Sequence, residues 1–513
     1  MGTAPVRRTG DAAFLAGALF LVAALQTIQA FRSPIIQKDG FVFIALAKDL
    51  LKDPAQAVRA ADQHPGYPAM ILAGQRALGW AAGDDPPRAW ALGARVFPWI
   101  GGLASTWLVW LLARRVFGAP AARIAVIVFA TLPLFRRNAA DALSDTPCLA
   151  LYLAAAWCLT EAFARRSVPW IIGAALASGG AYLVRPEGLG AAIVAAALLA
   201  AALCRAPTRR FAAAGLCAAA AALGALVAPY VAVKGTLTGK KDVGAFVAAH
   251  LGSADDPGGD AARRAGHGDV RGRIAHGIPD LLHTHAADGF RYVLLLPLIA
   301  AFVRGRPAYA DAAGARIIAA LAGMHLAMLA ALVLIAGYIG PRHVMISTAL
   351  AMPWIAAGVL SLGRALARGA AAIAPRAAAA VTDARAAAVL AAALAISFLP
   401  RDLAAQHASR IPLLDVASWV RAHTRPSDRV LTTSPFVLFY ADREGRELRD
   451  RNETLPELRD PAPPYALAVI ERDRCGPECR WFAALAARYE PLDAPGVSGG
   501  PRRIVLLRPR ETP

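Results

Sequence analysis

Long apolar segments recur along this chain, and short polar or charged stretches separate them. About eleven segments approach the length that an α-helix needs to cross a membrane core at roughly 1.5 Å of rise per residue. They are residues 14–31, 91–112, 120–135, 146–163, 168–184, 187–204, 211–232, 290–303, 316–338, 343–363 and 386–400. The pattern predicts an all-α polytopic membrane protein with about eleven transmembrane helices.

The overall composition agrees with this prediction. Hydrophobic residues make up 57% of the 513 positions, and the mean hydropathy is +0.45. Such a chain is too apolar for a soluble protein. No small-residue cleavage site follows the first apolar segment, and further spans come after it, so we expect a retained anchor rather than a removed signal peptide.

Arginine placement predicts the orientation of the spans. Arg7 and Arg8 precede the first span, and every connection from an even-numbered to an odd-numbered span is basic. Short cytoplasmic loops collect Lys and Arg, so we expect a cytoplasmic N-terminus and an outside C-terminus in the inner (plasma) membrane. The formal net charge of +19 is therefore explained by the orientation of the spans and by attraction to anionic lipid headgroups. Because these arginines flank spans instead of lining one soluble face, a nucleic-acid partner is not expected.

The predicted topology leaves two long outside loops and an outside tail. Residues 1–400 form the expected transmembrane domain, with outside loops at 32–90 and 233–289. Residues 401–513 are expected to form a small extracytoplasmic α/β domain, since a helical pattern at 413–424 precedes apolar strand patterns at 428–434, 465–471 and 502–508. From residue 400 onward the chain carries 18 Arg against 16 Asp plus Glu, so the excess positive charge lies in the membrane part.

Two sets of potential ligands lie in the predicted outside segments. Cys475 and Cys479 are close together in RDRCGPECRW. They form a local disulfide or remain two free thiols. His283 and His285 have the spacing of a possible metal pair, but two histidines alone are a weak signal, and a solvated loop is the preferred interpretation.

An acidic residue lies at the membrane surface directly after the first span. The stretch KDGFVFIALAKDL places Asp39 ahead of an amphipathic helix. From the residues alone, Asp39 is a helix N-cap or a functional acid. This layout resembles the GT-C-type glycosyltransferases of the protein O-mannosyltransferase and aminoarabinose-transferase superfamily. In that family the first outside loop carries an essential acid after span one, typically followed by Glu, where this chain has Gly40.

The resemblance extends to the next two loop segments. HPGYPAMI, which contains His64, is similar to a segment that leads into the following helix in this family. The resemblance implies that His64 contacts phosphate or orients the acceptor, and a solvated loop histidine is the alternative. FRRNAADALSDTPC is similar to the second outside loop, where Asp145 matches the acid before the next span and Asp141 is the neighbouring candidate. Arg136 and Arg137 in the same segment would meet an anionic donor phosphate.

Two further turns carry charges at membrane depth. In YLVRPEGLG, Arg185 and Glu187 either pair across a tight turn or contribute to substrate binding. GYIGPRHVMIS is similar to an Arg-Tyr segment of the family, with His343 in place of Tyr. Arg342 is therefore a candidate for holding donor phosphate, and snorkelling toward lipid headgroups is its alternative.

The implied reaction transfers a sugar from a polyprenyl-phosphate donor to a hydroxyl of a lipid, glycan or protein acceptor outside the membrane. Asp39 would act as general base, while arginines stabilise the leaving phosphate. A single acid without a covalent partner implies inversion. No cofactor is certain, and a divalent metal is possible. The alternatives are a transporter or lipid flippase and a structural membrane protein whose C-terminal domain binds a partner. Convergence of the candidate residues on one outside cavity would favour the enzyme.

Overall fold

The computed structural model describes residues 6–239, 270–303, 309–336, 338–373, 382–448, 453–459, 464–472, 479–494 and 504–510. The chain divides into two compact units. The first comprises Met1–Phe31, Ala45–Leu72 and Ala94–Ala404, and the second comprises Arg32–Ile44, Ala73–Gly93 and Ala405–Pro513.

The described part of the chain is mainly helical. In chain order the helices are α1 (Val6–Arg32), α2 (Lys38–Lys52), α3 (Pro54–Ala60), α4 (Gly66–Leu78), α5 (Pro86–Phe117), α6 (Ala119–Thr131), α7 (Pro133–Ala139), α8 (Asp145–Arg165), α9 (Val168–Val184), α10 (Leu189–Leu203), α11 (Arg209–Lys234), α12 (Val270–Thr284), α13 (Leu295–Val303), α14 (Ala312–Ala336), α15 (Met345–Ile373), α16 (Asp383–Leu403), α17 (Pro412–His423), α18 (Pro435–Ala441) and α19 (Arg480–Arg488). Among the described residues, eight helical segments are long and apolar enough to cross a membrane, or nine with the bent pair α6–α7. The chain is a multi-pass membrane protein.

Two predicted spans differ from the structure. The segment 120–135 is broken between α6 and α7, which meet at 59°, because Pro133 cannot donate the hydrogen bond that would continue the helix. The segment 290–303 contains only the nine-residue α13, which reaches roughly 14 Å and is too short to cross a bilayer. Arg291 and Tyr292 have φ values of 51° and 54°, which prevent a longer helix.

Burial separates central from peripheral helices in the first unit. In the most apolar part of each segment, 78% of residues are buried around α15 and 67% in α8, against 11% around α11. At Gly358 of α15, an added Cβ would lie 1.7 Å from the carbonyl oxygen of Pro297, so glycine permits the close approach of α13. The two central helices are also the ones that begin at the candidate site.

The second unit contains a mixed five-stranded sheet. Its strands are β1 (Val430–Thr432), β2 (Gly445–Glu447), β3 (Leu467–Glu471), β4 (Tyr489–Leu492) and β5 (Ile504–Pro509). Their spatial order is β2-β1-β3-β5-β4, with β1 parallel to β2 and β3, and β5 antiparallel to β3 and β4. This confirms a small C-terminal domain with strands, including the predicted helix near 413–424 and the three predicted strands.

The central strand β3 is buried on both faces, which explains why its sequence is continuously apolar. Val469 belongs to the same cluster as Val416 of α17, whereas Ile470 packs in a cluster with Trp481 of α19. Successive strand residues point to opposite faces, so the sheet needs a helix on each side. The short strands β2 and β4 have no comparable apolar run and were not predicted.

An ion pair and a hydrogen bond meet at Glu457 in the second unit. Glu457 accepts a hydrogen bond from Tyr465 Oη at 2.6 Å and pairs with Arg446 at 2.5 Å. Burial alone would raise the pKa of Glu457, but these partners outweigh it and lower the pKa below its usual value. Nearby, Cys479 is buried and disulfide-bonded. Cys475 lies outside the described residues, so the Cys475–Cys479 pairing stays a prediction.

Candidate functional site

One polar pocket in the first unit collects side chains from four separate parts of the chain. About 260 Å³ of empty space lies between its walls, and part of that space is open to solvent. The start of α8, the turn between α9 and α10, the middle of α14 and the start of α15 contribute to it. The lining residues are Asp145, Cys148, Arg185, Glu187, His325, Arg342, His343, Met345 and Ile346. Five of the nine candidate site residues therefore lie in one pocket.

Arg185 is the centre of a charged triad in this pocket. Its Nη1 donates to Asp145 Oδ1 at 2.6 Å, and its Nη2 and Nε donate to the two oxygens of Glu187 at 3.0 and 3.4 Å. The Asp145 side chain is 4% exposed, and its Oδ2 has no hydrogen-bond partner in the structure. The guanidinium thus serves two carboxylates, whose two negative charges together exceed its single positive charge.

The turn that carries Arg185 and Glu187 is fixed by its local sequence. Helix α9 ends at Val184, and Pro186 opens a 3₁₀ turn, Pro186–Gly188, that leads into α10. At Gly188, an added Cβ would lie 2.2 Å from the carbonyl carbon of Ala181, so a side chain would push the turn away from α9. Ser178 Oγ also donates to the Gly188 carbonyl at 2.7 Å. Both alternatives for this turn are compatible with the structure, since the charges pair and also line the pocket.

The second wall of the pocket comes from the turn before α15. The 3₁₀ turn Pro341–Val344 carries Arg342 and His343. His343 Nδ1 accepts a hydrogen bond from the Gly340 backbone N–H at 3.0 Å, so a neutral His343 carries its proton on Nε2 and can donate from there. With neutral histidines, Asp145 and Glu187 balance Arg185 and Arg342, and the formal charge of the lining is zero.

Sequence reasoning missed four residues of the lining, namely Cys148, His325, Met345 and Ile346. His325 lies in the middle of the apolar helix α14 and is 1% exposed. Its Nδ1 has no hydrogen-bond partner in the structure. A lone histidine inside an apolar span is the signal that could have found it, because ionisable groups are costly at that depth.

Asp39 lies on the first turn of α2, in the second unit, and is partly exposed. The helix begins at Lys38, so Asp39 lies in its first turn, one residue beyond the helix start. An acid in the first turn still interacts favourably with the positive end of the helix dipole. The structure leaves the assignment of Asp39 as general base a prediction.

The segment around Asp39 is anchored on the C-terminal part of the second unit. Lys38 Nζ pairs with Glu447 Oε1 at 2.7 Å. The Phe41 ring lies 5.0 Å from Phe436 and 4.6 Å from Phe439, measured between centroids. Upstream, the Ile36 backbone N–H donates to Tyr440 Oη at 3.0 Å, and Ile35 is part of the apolar core on one face of the sheet. Contacts on both sides of Asp39 therefore fix the start of α2.

His64 lies in a buried aromatic cluster of the first unit. It is 2% exposed, and its ring centroid is 5.0 Å from that of Tyr182 and 5.1 Å from that of Tyr230. The alternative of a solvated loop histidine is therefore wrong. A Cβ added at Gly66 would lie 2.6 Å from the Leu183 backbone, so the loop packs tightly against the end of α9. His64 does not line the pocket, and its role toward phosphate or acceptor stays a prediction.

Arg136 and Arg137 lie on α7 rather than in a short loop, which corrects the expected position. Arg136 is 1% exposed, and Asp402, at the end of α16, is buried and acts electrostatically on both arginines. Neither arginine lines the pocket. Asp141, the neighbouring candidate to Asp145, accepts a hydrogen bond from the Ala142 backbone N–H at 2.7 Å and is also outside the lining.

The preferred interpretation of His283 and His285 as part of a solvated loop is wrong. His283 lies on α12, and His285 begins a short π-helical turn. His285 is buried, with Nδ1 2.9 Å from the Leu281 carbonyl and Nε2 2.8 Å from Ser347 Oγ. Burial lowers the pKa of His285, and the contact with Leu281 only partly opposes this. Across the described ranges, no group of three or more His, Cys, Asp or Glu side chains is arranged to hold a metal ion.

The chain is similar to a known protein family over part of its length and to solved structures over nearly all of it. The family profile of dolichyl-phosphate-mannose-protein mannosyltransferases matches residues 89–232. A search of curated proteins finds no match. Among solved structures, the chain is similar to ArnT from Cupriavidus metallidurans in the apo state, with 12% identity, 98% of each chain covered and a TM-score of 0.59.

Two further solved structures are similar to this chain. ArnT from the same organism bound to undecaprenyl phosphate has 14% identity, 97% coverage of each chain and a TM-score of 0.58. The Archaeoglobus fulgidus oligosaccharyltransferase in complex with Zn and sulfate has 13% identity and a TM-score of 0.55, covering 91% of this chain and 69% of its own. The expected GT-C-type fold is confirmed, over nearly the whole chain in the ArnT comparisons.

Proposed function

We propose that this chain, which has the GT-C-type fold, is a membrane glycosyltransferase that uses a polyprenyl-phosphate sugar as donor. The observation that carries the proposal is the pocket shared by Asp145, Arg185, Glu187, Arg342 and His343. These residues come from three separate segments of the chain, each of which carries charged or polar residues beside an apolar run. Fold similarity alone cannot assign chemistry, so the convergence of polar side chains supports the function independently.

The donor class is supported by the similar proteins. One of the ArnT structures contains undecaprenyl phosphate, and an archaeal oligosaccharyltransferase of Archaeoglobus fulgidus, with a TM-score of 0.51, was solved with an inhibitory peptide and a dolichol-phosphate. In this chain, Arg342 is the pocket cation that best suits the donor phosphate, since Arg185 already serves two carboxylates. A planar guanidinium can take up the charge that develops on a leaving phosphate.

Asp39 is proposed as the general base that removes the proton from the acceptor hydroxyl. The anchored start of α2 supports this role, because a base must be held in a fixed position to be effective. With one base and direct displacement of the phosphate, the anomeric configuration of the sugar would be inverted. The acceptor is a hydroxyl of a lipid, a glycan or a protein on the outer face of the membrane.

The transporter or flippase alternative predicts charges distributed along a path through the membrane. Asp145, Arg185 and Glu187 instead form a paired triad in one pocket at the ends of helices, and Arg342 lines the same pocket. This arrangement favours a binding site over a translocation path.

The test is to incubate membranes containing the protein with a panel of labelled polyprenyl-phosphate sugars. Transfer of label from at least one donor to a larger product, with release of polyprenyl phosphate, is expected. Membranes lacking the protein serve as the control. Movement of intact labelled donor across the bilayer without any cleavage would instead support the flippase.

A further inference from the structure

We propose that Asp145 and His325 form a recognition site for a hydroxyl group of the transferred sugar, and that His325 helps to determine which sugar is accepted. This inference rests on the proposed function and deepens it. It starts from two buried polar atoms in the pocket lining, Asp145 Oδ2 and His325 Nδ1, that have no hydrogen-bond partner in the structure.

Unsatisfied buried polar groups are rare in folded proteins, because each forfeits its hydrogen bonds to water. Asp145 uses only Oδ1 for Arg185, and both residues are at least nine-tenths buried. The Tyr152 ring lies 6.3 Å from that of His325, measured between centroids. A ligand group in the pocket would supply the missing partners.

The chemistry of the two atoms selects the ligand group. An ionised carboxylate oxygen only accepts hydrogen bonds, so Asp145 Oδ2 would repel a phosphate oxygen and requires a donor. An imidazole nitrogen donates or accepts according to its tautomer. A hydroxyl donates its one proton to Asp145 Oδ2 and accepts from His325 Nδ1–H, so it satisfies both atoms when His325 carries its proton on Nδ1.

The charge of the pocket lining agrees with an uncharged sugar ring. The formal charges of the lining cancel, so no cationic ligand is needed for neutrality. In this arrangement Asp145 and His325 would contact the sugar, and Arg342 would contact the phosphate.

The test uses native membrane vesicles, which contain the acceptor, and undecaprenyl phosphate carrying glucose, mannose, galactose or arabinose. Each donor that is consumed is also prepared with one hydroxyl at a time replaced by hydrogen. In the wild type, loss of one particular hydroxyl should lower kcat/KM about five- to tenfold or more. In His325→Leu this penalty should shrink to within about twofold.

Two variants control for folding and for general loss of activity. His325→Asn keeps a polar group near the position of Nδ1 and should retain part of the hydroxyl preference. His283→Leu changes an exposed histidine of the same unit and should keep the full preference. Because the readout is a ratio between two donors, a merely structural role of His325 would lower both rates and leave the ratio unchanged.

An unchanged ratio in both His325 variants would overturn the inference and leave the proposed function intact. The same conclusion follows if the wild type tolerates the loss of every hydroxyl. If the wild type consumes none of the four donors and none of a wider panel, the proposed function itself fails, and the inference fails with it.

Discussion

The ion pair between Lys38 and Glu447 offers a direct test of how Asp39 is positioned. Lys38 precedes Asp39 at the start of α2, and its Nζ lies 2.7 Å from Glu447 Oε1. The Lys38 side chain is 44% exposed and that of Glu447 is 10% exposed. The substitution Glu447→Lys turns the attraction between residues 38 and 447 into a repulsion. Adding Lys38→Glu restores a pair of opposite charges with the two signs exchanged.

The exposures set the expected magnitude. A fully exposed pair contributes at most about 1 kcal/mol, and breaking a fully buried pair costs about 3–5 kcal/mol. Since one partner is half-exposed and the other nearly buried, Glu447→Lys should destabilise the anchor by about 1–2 kcal/mol. Small displacements of a catalytic group are costly, up to about 10²-fold for 1 Å, so we expect kcat to fall about tenfold. The double variant should recover most of the lost kcat.

The assay is sugar transfer in proteoliposomes, together with the thermal unfolding temperature of each variant. The matched control is Glu490→Lys, which breaks the more exposed pair of Glu490 with Arg508 in the same unit. It should leave kcat unchanged. Failure of the double variant to recover kcat would refute the positioning role and would indicate that Lys38 acts through its own charge.

Three further predictions concern the pocket, the C-terminal domain and the topology. Arg185→Met leaves the buried Asp145 and the partly buried Glu187 without this partner and should destabilise the protein by about 3–5 kcal/mol; an unchanged unfolding temperature would contradict the triad. The lowered pKa of Glu457 means that its stabilisation is complete above the usual carboxyl pKa and is lost as the pH falls through the lowered value. Hydrogen exchange of the β3 amides, corrected for intrinsic rates, should therefore lose protection on acidification, and less steeply in Glu457→Gln. A reporter active only outside the cytoplasm should be active after Pro400 and silent after Arg210, and the reverse would overturn the orientation.

The sequence predicts features that depend on local pattern. Long apolar runs identify most spans because a lipid-facing helix must be apolar along its whole length. Arg185 and Glu187 were recognisable because Pro186 and Gly188 interrupt an apolar run beside them. Such interruptions at membrane depth are costly and therefore informative.

Features that depend on distant contacts were not predictable in the same way. His325 has no polar neighbour in its own helix, and its pocket partners come from other segments. The packing of Phe41 against Phe436 joins residues almost 400 positions apart, and no local sequence pattern predicts this contact. Pro133 marks a position where a helix can break, but the size of the bend, 59°, depends on how α6 and α7 pack.

The central claim is tested most directly by comparing sugar transfer from a polyprenyl-phosphate donor between the wild type and Asp39→Asn. Asn is nearly isosteric with Asp but cannot accept a proton as a general base, so expression and unfolding temperature should stay near those of the wild type. The account predicts that kcat falls by about 10² to 10⁴. If Asp39→Asn transfers sugar within a few-fold of the wild type while Asp145→Asn is inactive, the base lies in the second outside loop and not at Asp39. Full activity in both variants would contradict the proposed mechanism.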